Sequence, residues 1–198
     1  MDNPSFDKEN RDYLPQLDRE LLLQLAREAL EIAVRGEQLP ELDLSSIPPN
    51  LSEHGATFVT LMKNQELRGC IGSLEAKRPL AEDVRVHAMA AALEDYRFPP
   101  VTRQEIPGIS IEISRLTTPH RIHYRDIDQL VMQINPGVDG VVIKKGIRRA
   151  TFLPQVWEKV PDIEKFMDML CRKMGAESGY WRSGGVEIFT YQVEKFCE

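Results

Sequence analysis

Hydrophobic positions change period several times along the chain, and each change marks an element. Leu21, Leu22, Leu25, Ala26, Ala29, Leu30 and Ala33 recur at helical spacing, which predicts a helix capped by Asp18 and stopped at Gly36. Residues 37–55 are broken by Pro40, Pro48, Pro49 and Gly55 and read as a connector whose Leu42, Leu44, Ile47 and Leu51 still pack. Residues 56–63 are β-branched and aromatic and predict a strand. Asn64-Gln65-Glu66 turns the chain, and residues 67–71 return as the second arm of a hairpin. Pro79 suits the first turn of a second helix carrying Leu80, Val84, His87, Ala88, Ala91 and Ala92. That helix ends before Arg97-Phe98-Pro99-Pro100.

Ile109, Ile111 and Ile113 alternate with Ser110, Glu112 and Ser114, the pattern of a half-buried strand. A short helix is expected over 126–134. A hairpin over 140–145 and 149–153 turns at Gly146. A helix over 161–174 has Phe166, Met169, Leu170 and Met174 inward and Gly175 as its stop, and one final strand runs over 186–196. Hairpins make a mostly antiparallel sheet flanked by helices, so the fold class is α+β. Residues 1–16, with two prolines and many charges, predict a flexible tail, and residues 17–198 a single domain.

Charge and cysteine usage narrow the function classes. Asp and Glu outnumber Lys and Arg, 31 to 25, for a net charge of -6. Long-range attraction to nucleic acid or to a membrane is therefore not expected. Cys70, Cys171 and Cys197 include no CxxC pair, so zinc-ribbon and thioredoxin-type sites are excluded and a reducing cytoplasm is the expected setting. No secretory leader and no membrane span is expected. The sequence holds no Walker loop, GxGxxG, HExxH or GxSxG, so no cofactor is expected.

The segment Leu67-Arg68-Gly69-Cys70-Ile71-Gly72 resembles the hexapeptide LRGCIG of the AMMECR family, letter for letter. It is followed by Ser73, where members of that family often have Thr. Asp95-Tyr96-Arg97-Phe98-Pro99-Pro100, Gly137-Val138-Asp139-Gly140 and Phe152-Leu153-Pro154-Gln155-Val156-Trp157-Glu158 also match, so the resemblance runs from the first helix to the last strand. It implies a larger sheet-bearing lobe, a smaller lobe, and a cleft near the hexapeptide. It also implies an association with a Memo-like protein and a radical-SAM protein.

On a regular strand Arg68, Cys70 and Gly72 share one face, while Leu67, Gly69 and Ile71 share the other and point to the core. Two readings of Cys70 stand side by side. In one it is a thiol activated by the Arg68 guanidinium and acting as nucleophile; in the other it is a small packed hydrophobe. Gly69 and Gly72 mark a bulge or a close approach. With Ser73 and Arg97, Arg68 and these glycines form the candidate binding residues, Arg68 orienting an anionic substrate. His87 is the base nearest to Cys70 along the chain, although a histidine among helix alanines also serves simply as packing. His54 lies before the hairpin. His120 and His123 have no clustered carboxylate or cysteine, so no metal site is expected. Lys144, Lys145, Arg148 and Arg149 surround Gly146, and a solvated hairpin tip is the favoured reading over a phosphate dock. A non-catalytic binding or adaptor module for a nucleotide, RNA or partner protein is the alternative to a cysteine-dependent enzyme.

Overall fold

The computed structural model describes residues 13–198, so most of the expected tail over 1–16 lies outside the described residues. Two units divide the chain: the first runs to Leu116 and regains Glu194–Glu198, and the second is Thr117–Val193.

In the first unit, α1 (Gln16–Val34) precedes a single helical turn, α2 (Pro49–Ser52). Helix α1 starts before Asp18, with Pro15 as its N-cap. Asp18 is not the cap: it lies buried in the first turn, where its carboxylate accepts a hydrogen bond from Asn50 Nδ2 at 3.1 Å. Strands β1 (His54–Lys63) and β2 (Glu66–Gly72) form the expected hairpin, and β3 (Arg78–Pro79) adds two residues against the start of β1. Helix α3 (Leu80–Leu93) follows, then β4 (Ile109–Leu116). The main path of this sheet is β2-β1-β4 with β9 (Val193–Cys197) at its far edge.

Alternation along β1 decides what covers the sheet. Val59 and Leu61 are fully buried and pack with Ile111 and Ile113 of β4 against Leu22, Leu30, Val84 and Ala88 of α1 and α3. Each of these Val, Leu and Ile side chains contributes roughly 1.5–3 kcal/mol through burial. The in-between residues Phe58, Thr60 and Met62 project from the opposite face and are half-buried.

In the second unit, β5 (His120–Arg121), α4 (Ile127–Met132), β6 (Gly140–Lys145), β7 (Arg148–Phe152), α5 (Ile163–Lys173) and β8 (Glu187–Tyr191) appear in chain order. The sheet order is β5-β8-β6-β7, and β5 with β8, β8 with β6 and β6 with β7 all pair antiparallel. Asp126 and Asp162 cap α4 and α5 by accepting from the amides of Gln129 and Lys165. The core combines Val141, Ile143 and Ile188 with Phe166, Met167 and Leu170 of α5, and Trp157 stacks on Phe166 with ring centroids 3.6 Å apart. Met167 faces inward where the sequence suggested Met169, because Phe166, Met167, Leu170 and Cys171 form the buried stripe. The single final strand expected over 186–196 is two strands in two different sheets, divided at Gln192.

Candidate functional site

The hairpin that holds the hexapeptide turns through Asn64 and Gln65, both with positive φ (52° and 66°), as a two-residue hairpin turn of type I′ requires. Lys63 then pairs with Glu66 and Met62 with Leu67. The register slips at this point. Leu61 pairs with Gly69 and Thr60 with Cys70, so Arg68 is an extra residue in a bulge. Because side chains alternate, one inserted residue exchanges the faces of everything before it. Gly69 and Ile71 lie on the helix-covered face with Leu61 and Val59, and Cys70 lies on the opposite face with Thr60. Leu67 falls on that opposite face too and is 40% exposed, so it does not face the core as simple alternation predicts.

Both glycines are explained by close approach. A Cβ on Gly69 would stand 2.2 Å from the Ala91 carbonyl oxygen of α3, and one on Gly72 would stand 2.4 Å from the Phe58 ring and from the Thr57 carbonyl oxygen. The helix therefore seats directly on the strand backbone at Gly69. The Phe58 ring lies over Gly72, beside the row that holds Cys70.

Strand β2 is an edge strand, and its free side is occupied at Cys70. The Cys70 amide donates to Asp95 Oδ2 at 2.8 Å, and Arg97 Nη2 donates to the Cys70 carbonyl at 3.2 Å. Asp95 and Arg97 are locked to each other: Arg97 Nη2 lies 2.6 Å from Asp95 Oδ2, and Arg97 Nε lies 2.9 Å from Oδ1. The Arg97 guanidinium beside it, with the Cys70 and Arg97 amides, holds the buried Asp95 carboxyl well below the usual carboxylate range, against the opposing effect of burial. The backbone on either side of the thiol is fixed.

The Cys70 side chain is half-buried, whereas Cys171 is buried and Cys197 exposed. The Thr60 hydroxyl donates to the sulfur at 3.3 Å. Glu112 stands opposite Thr60 on β4, and Lys195 Nζ lies 3.3 Å from its carboxylate. A thiol, a hydroxyl, a carboxylate and an ammonium thus follow one another across the sheet on its polar face. Sequence reasoning missed Thr60 and Glu112. The glycine after Arg68 was the available signal for the bulge, since counting back from the turn without it places Val59, not Thr60, opposite Cys70.

The other predicted residues are placed differently. Arg68 Nε and Nη2 grip the two oxygens of Glu105 at 3.0 and 3.2 Å, and Lys63 Nζ reaches the same carboxylate at 3.0 Å. Arg68, the Thr102 amide and Lys63 together hold Glu105 well below its ordinary carboxyl range. Arg68 is thereby tied to the 100–105 segment, and its Nη1 is enclosed without a partner. The Ser73 hydroxyl closes a tight turn, accepting from the Glu75 amide at 3.0 Å. His87 sits on the helix-covered face, where its Nδ1 lies 3.1 Å from Asp83 Oδ2 and 3.3 Å from Thr57 Oγ1. The structure thus brings Arg97 to Cys70 and sets His87 on the other side of the sheet. Among the described residues no three His, Cys, Asp or Glu side chains form a group able to hold a metal ion.

Comparison with known proteins gives one consistent answer. The model of the AMMECR1 family matches residues 23–196, which include β2, Asp95 and Arg97. A protein of Thermofilum pendens is 38% identical over 189 residues, covering 90% of this chain and 88% of that one. Protein MJ0810 of Methanocaldococcus jannaschii is 35% identical, covering 89% of this chain and 88% of its own. The crystal structure of the uncharacterized protein PH0010 from Pyrococcus horikoshii superposes with a TM-score of 0.70 at 32% identity, covering 93% of each chain. The chain belongs to the AMMECR1 family.

Proposed function

We propose that the protein is a cysteine-dependent enzyme, or the cysteine-bearing component of a larger enzyme system, in which the Cys70 thiol is the reacting group. One observation carries the reading: Cys70 is a half-buried thiol whose backbone is clamped on its free edge by Asp95 and Arg97, while the Thr60 hydroxyl points at its sulfur. A packed cysteine needs none of this, whereas a nucleophile gains from a fixed position. Glu112 faces Thr60 in register across β1 and β4, and in this reading it takes the base role that the sequence assigned to His87. Arg97 is the cation at the Cys70 backbone, bonded to its carbonyl, while Arg68 positions the bulge. The Memo-like and radical-SAM proteins implied by the resemblance are the partners to test by co-purification.

The test is alkylation of the folded protein with iodoacetamide at neutral pH, each cysteine being followed by mass spectrometry. Modification of Cys70 at least as fast as that of exposed Cys197 supports the reading. Modification of Cys197 with Cys70 left intact sinks it.

The binding-module reading has one observation of its own. Tyr96 is 94% exposed between two residues that bond to Cys70, and so large an exposed aromatic suits a protein contact. It predicts that Tyr96→Ala abolishes partner capture while Cys70→Ser preserves it.

A further inference from the structure

The β6–β7 hairpin of the second unit takes no part in this chemistry, yet its tip is built unusually. The strands close through Gly146 and Ile147 between the paired Lys145 and Arg148. Residues 144–149 are all exposed, and four of them are Lys or Arg. Ile147 is fully exposed, at 103%. Arg148 Nη1 donates to the Gly175 carbonyl at 3.0 Å and Lys173 Nζ to the Thr151 carbonyl at 3.0 Å, so Lys173 at the end of α5 adds a cation beside the same hairpin.

Countercharge is sparse. Glu187 lies 4.0 Å from Lys144 and pairs more closely, at 2.9 Å, with Arg121. Lys145 rests 4.4 Å over the Tyr180 ring. The second unit carries 11 Lys and Arg against 9 Asp and Glu, a net of +2 within a chain whose total is -6, which leaves -8 for the remainder. Positive charge is thus gathered in this unit against the trend of the whole.

Crowded cations repel one another and are relieved by a polyanion. Ile147 selects which polyanion. A nucleic-acid phosphate backbone offers an exposed aliphatic side chain nothing, whereas a lipid surface offers acidic headgroups to the cations and an apolar boundary to Ile147. We propose that the β6–β7 tip is a peripheral contact for an anionic phospholipid surface, with Lys144, Lys145, Arg148 and Arg149 at the headgroups and Ile147 entering the boundary beneath them. No helix among the described residues is long and apolar enough to cross a membrane, and the contact needs none.

Flotation of the full chain with vesicles tests this, using phosphatidylcholine alone and an equimolar mixture with phosphatidylglycerol. Binding to the mixed vesicles only is expected, and it weakens with salt. Lys144→Gln with Arg149→Gln lowers partitioning about 25-fold, at about fivefold for each cation removed. Ile147→Ser lowers it about tenfold through lost apolar burial. Circular dichroism confirms that these exposed substitutions leave the fold intact. Absence of binding to mixed vesicles, equal binding to both compositions, or indifference to Ile147→Ser overturns the proposal. Binding of single-stranded RNA in place of vesicles, unaffected by Ile147→Ser, overturns it in favour of nucleic acid.

Discussion

Substituting Asp95 by Asn keeps the shape of the side chain and removes its charge. Asp95 is 4% exposed and accepts from the Cys70 amide (2.8 Å), the Arg97 amide (3.2 Å), Arg97 Nε (2.9 Å) and Arg97 Nη2 (2.6 Å). An Asn side chain has one acceptor oxygen for these four donors, and its own N–H₂ meets another donor. A hydrogen bond to a charged group is worth about 1.5–3 kcal/mol net. Arg97 is partly exposed and recovers some of its loss from water, so Asp95→Asn is expected to cost about 2–3 kcal/mol. Urea unfolding at neutral pH, followed by circular dichroism, measures this; both tryptophans lie in the second unit and would not report it. The pH dependence supplies a second check. The folded-state pKa of Asp95 is depressed, so its stabilisation is fully present above the unfolded value of about 4 and is lost as pH falls below it. Asn does not titrate. The gap between wild type and variant therefore narrows below about pH 4. Glu105, also depressed, titrates in both proteins and cancels from the difference. A gap under about 1 kcal/mol at neutral pH, or one that stays constant in acid, refutes the clamp.

Gly69→Ala forces a methyl against the Ala91 carbonyl oxygen and is expected to destabilise the protein by about 3 kcal/mol or to prevent folding; a thermal shift of less than a few degrees contradicts the close approach. His87→Ala breaks the buried contact with Asp83 and Thr57 and costs about 2 kcal/mol in urea unfolding, yet leaves the alkylation rate of Cys70 unchanged because His87 is on the other face. Glu105→Gln removes the carboxylate that balances Lys63 and Arg68, costs about 2 kcal/mol, and flattens the acid limb of the stability curve, which a pH series of melting temperatures reads directly.

Periodicity made the elements legible because each one buries a single face. The Ile109–Ile113 alternation, the α1 stripe and the hairpin around Asn64-Gln65 lie where local pattern and tertiary burial agree. The departures have local causes. The strand expected over 186–196 was one run of β-favouring residues, and only pairing partners could show that Glu187–Tyr191 joins β6 while Val193–Cys197 joins β4. At the site the sequence brought out Cys70, the glycines and Arg97, because a hexapeptide and a charged loop stand out in composition. Thr60, Glu105 and Glu112 escaped notice: each is an ordinary residue whose relation to the hexapeptide depends on the Arg68 bulge or on a loop returning from far along the chain.

The central claim is that Cys70 is a positioned, reactive thiol, and site-resolved alkylation tests it most directly. Iodoacetamide modification of all three cysteines is timed in folded protein and referred to the rates in urea. Burial pushes the Cys171 thiol up and shields it, so it serves as the protected control. The account predicts that Cys70 keeps pace with or outruns Cys197 while Cys171 stays intact. Full modification of Cys197 with Cys70 as protected as Cys171 would contradict it.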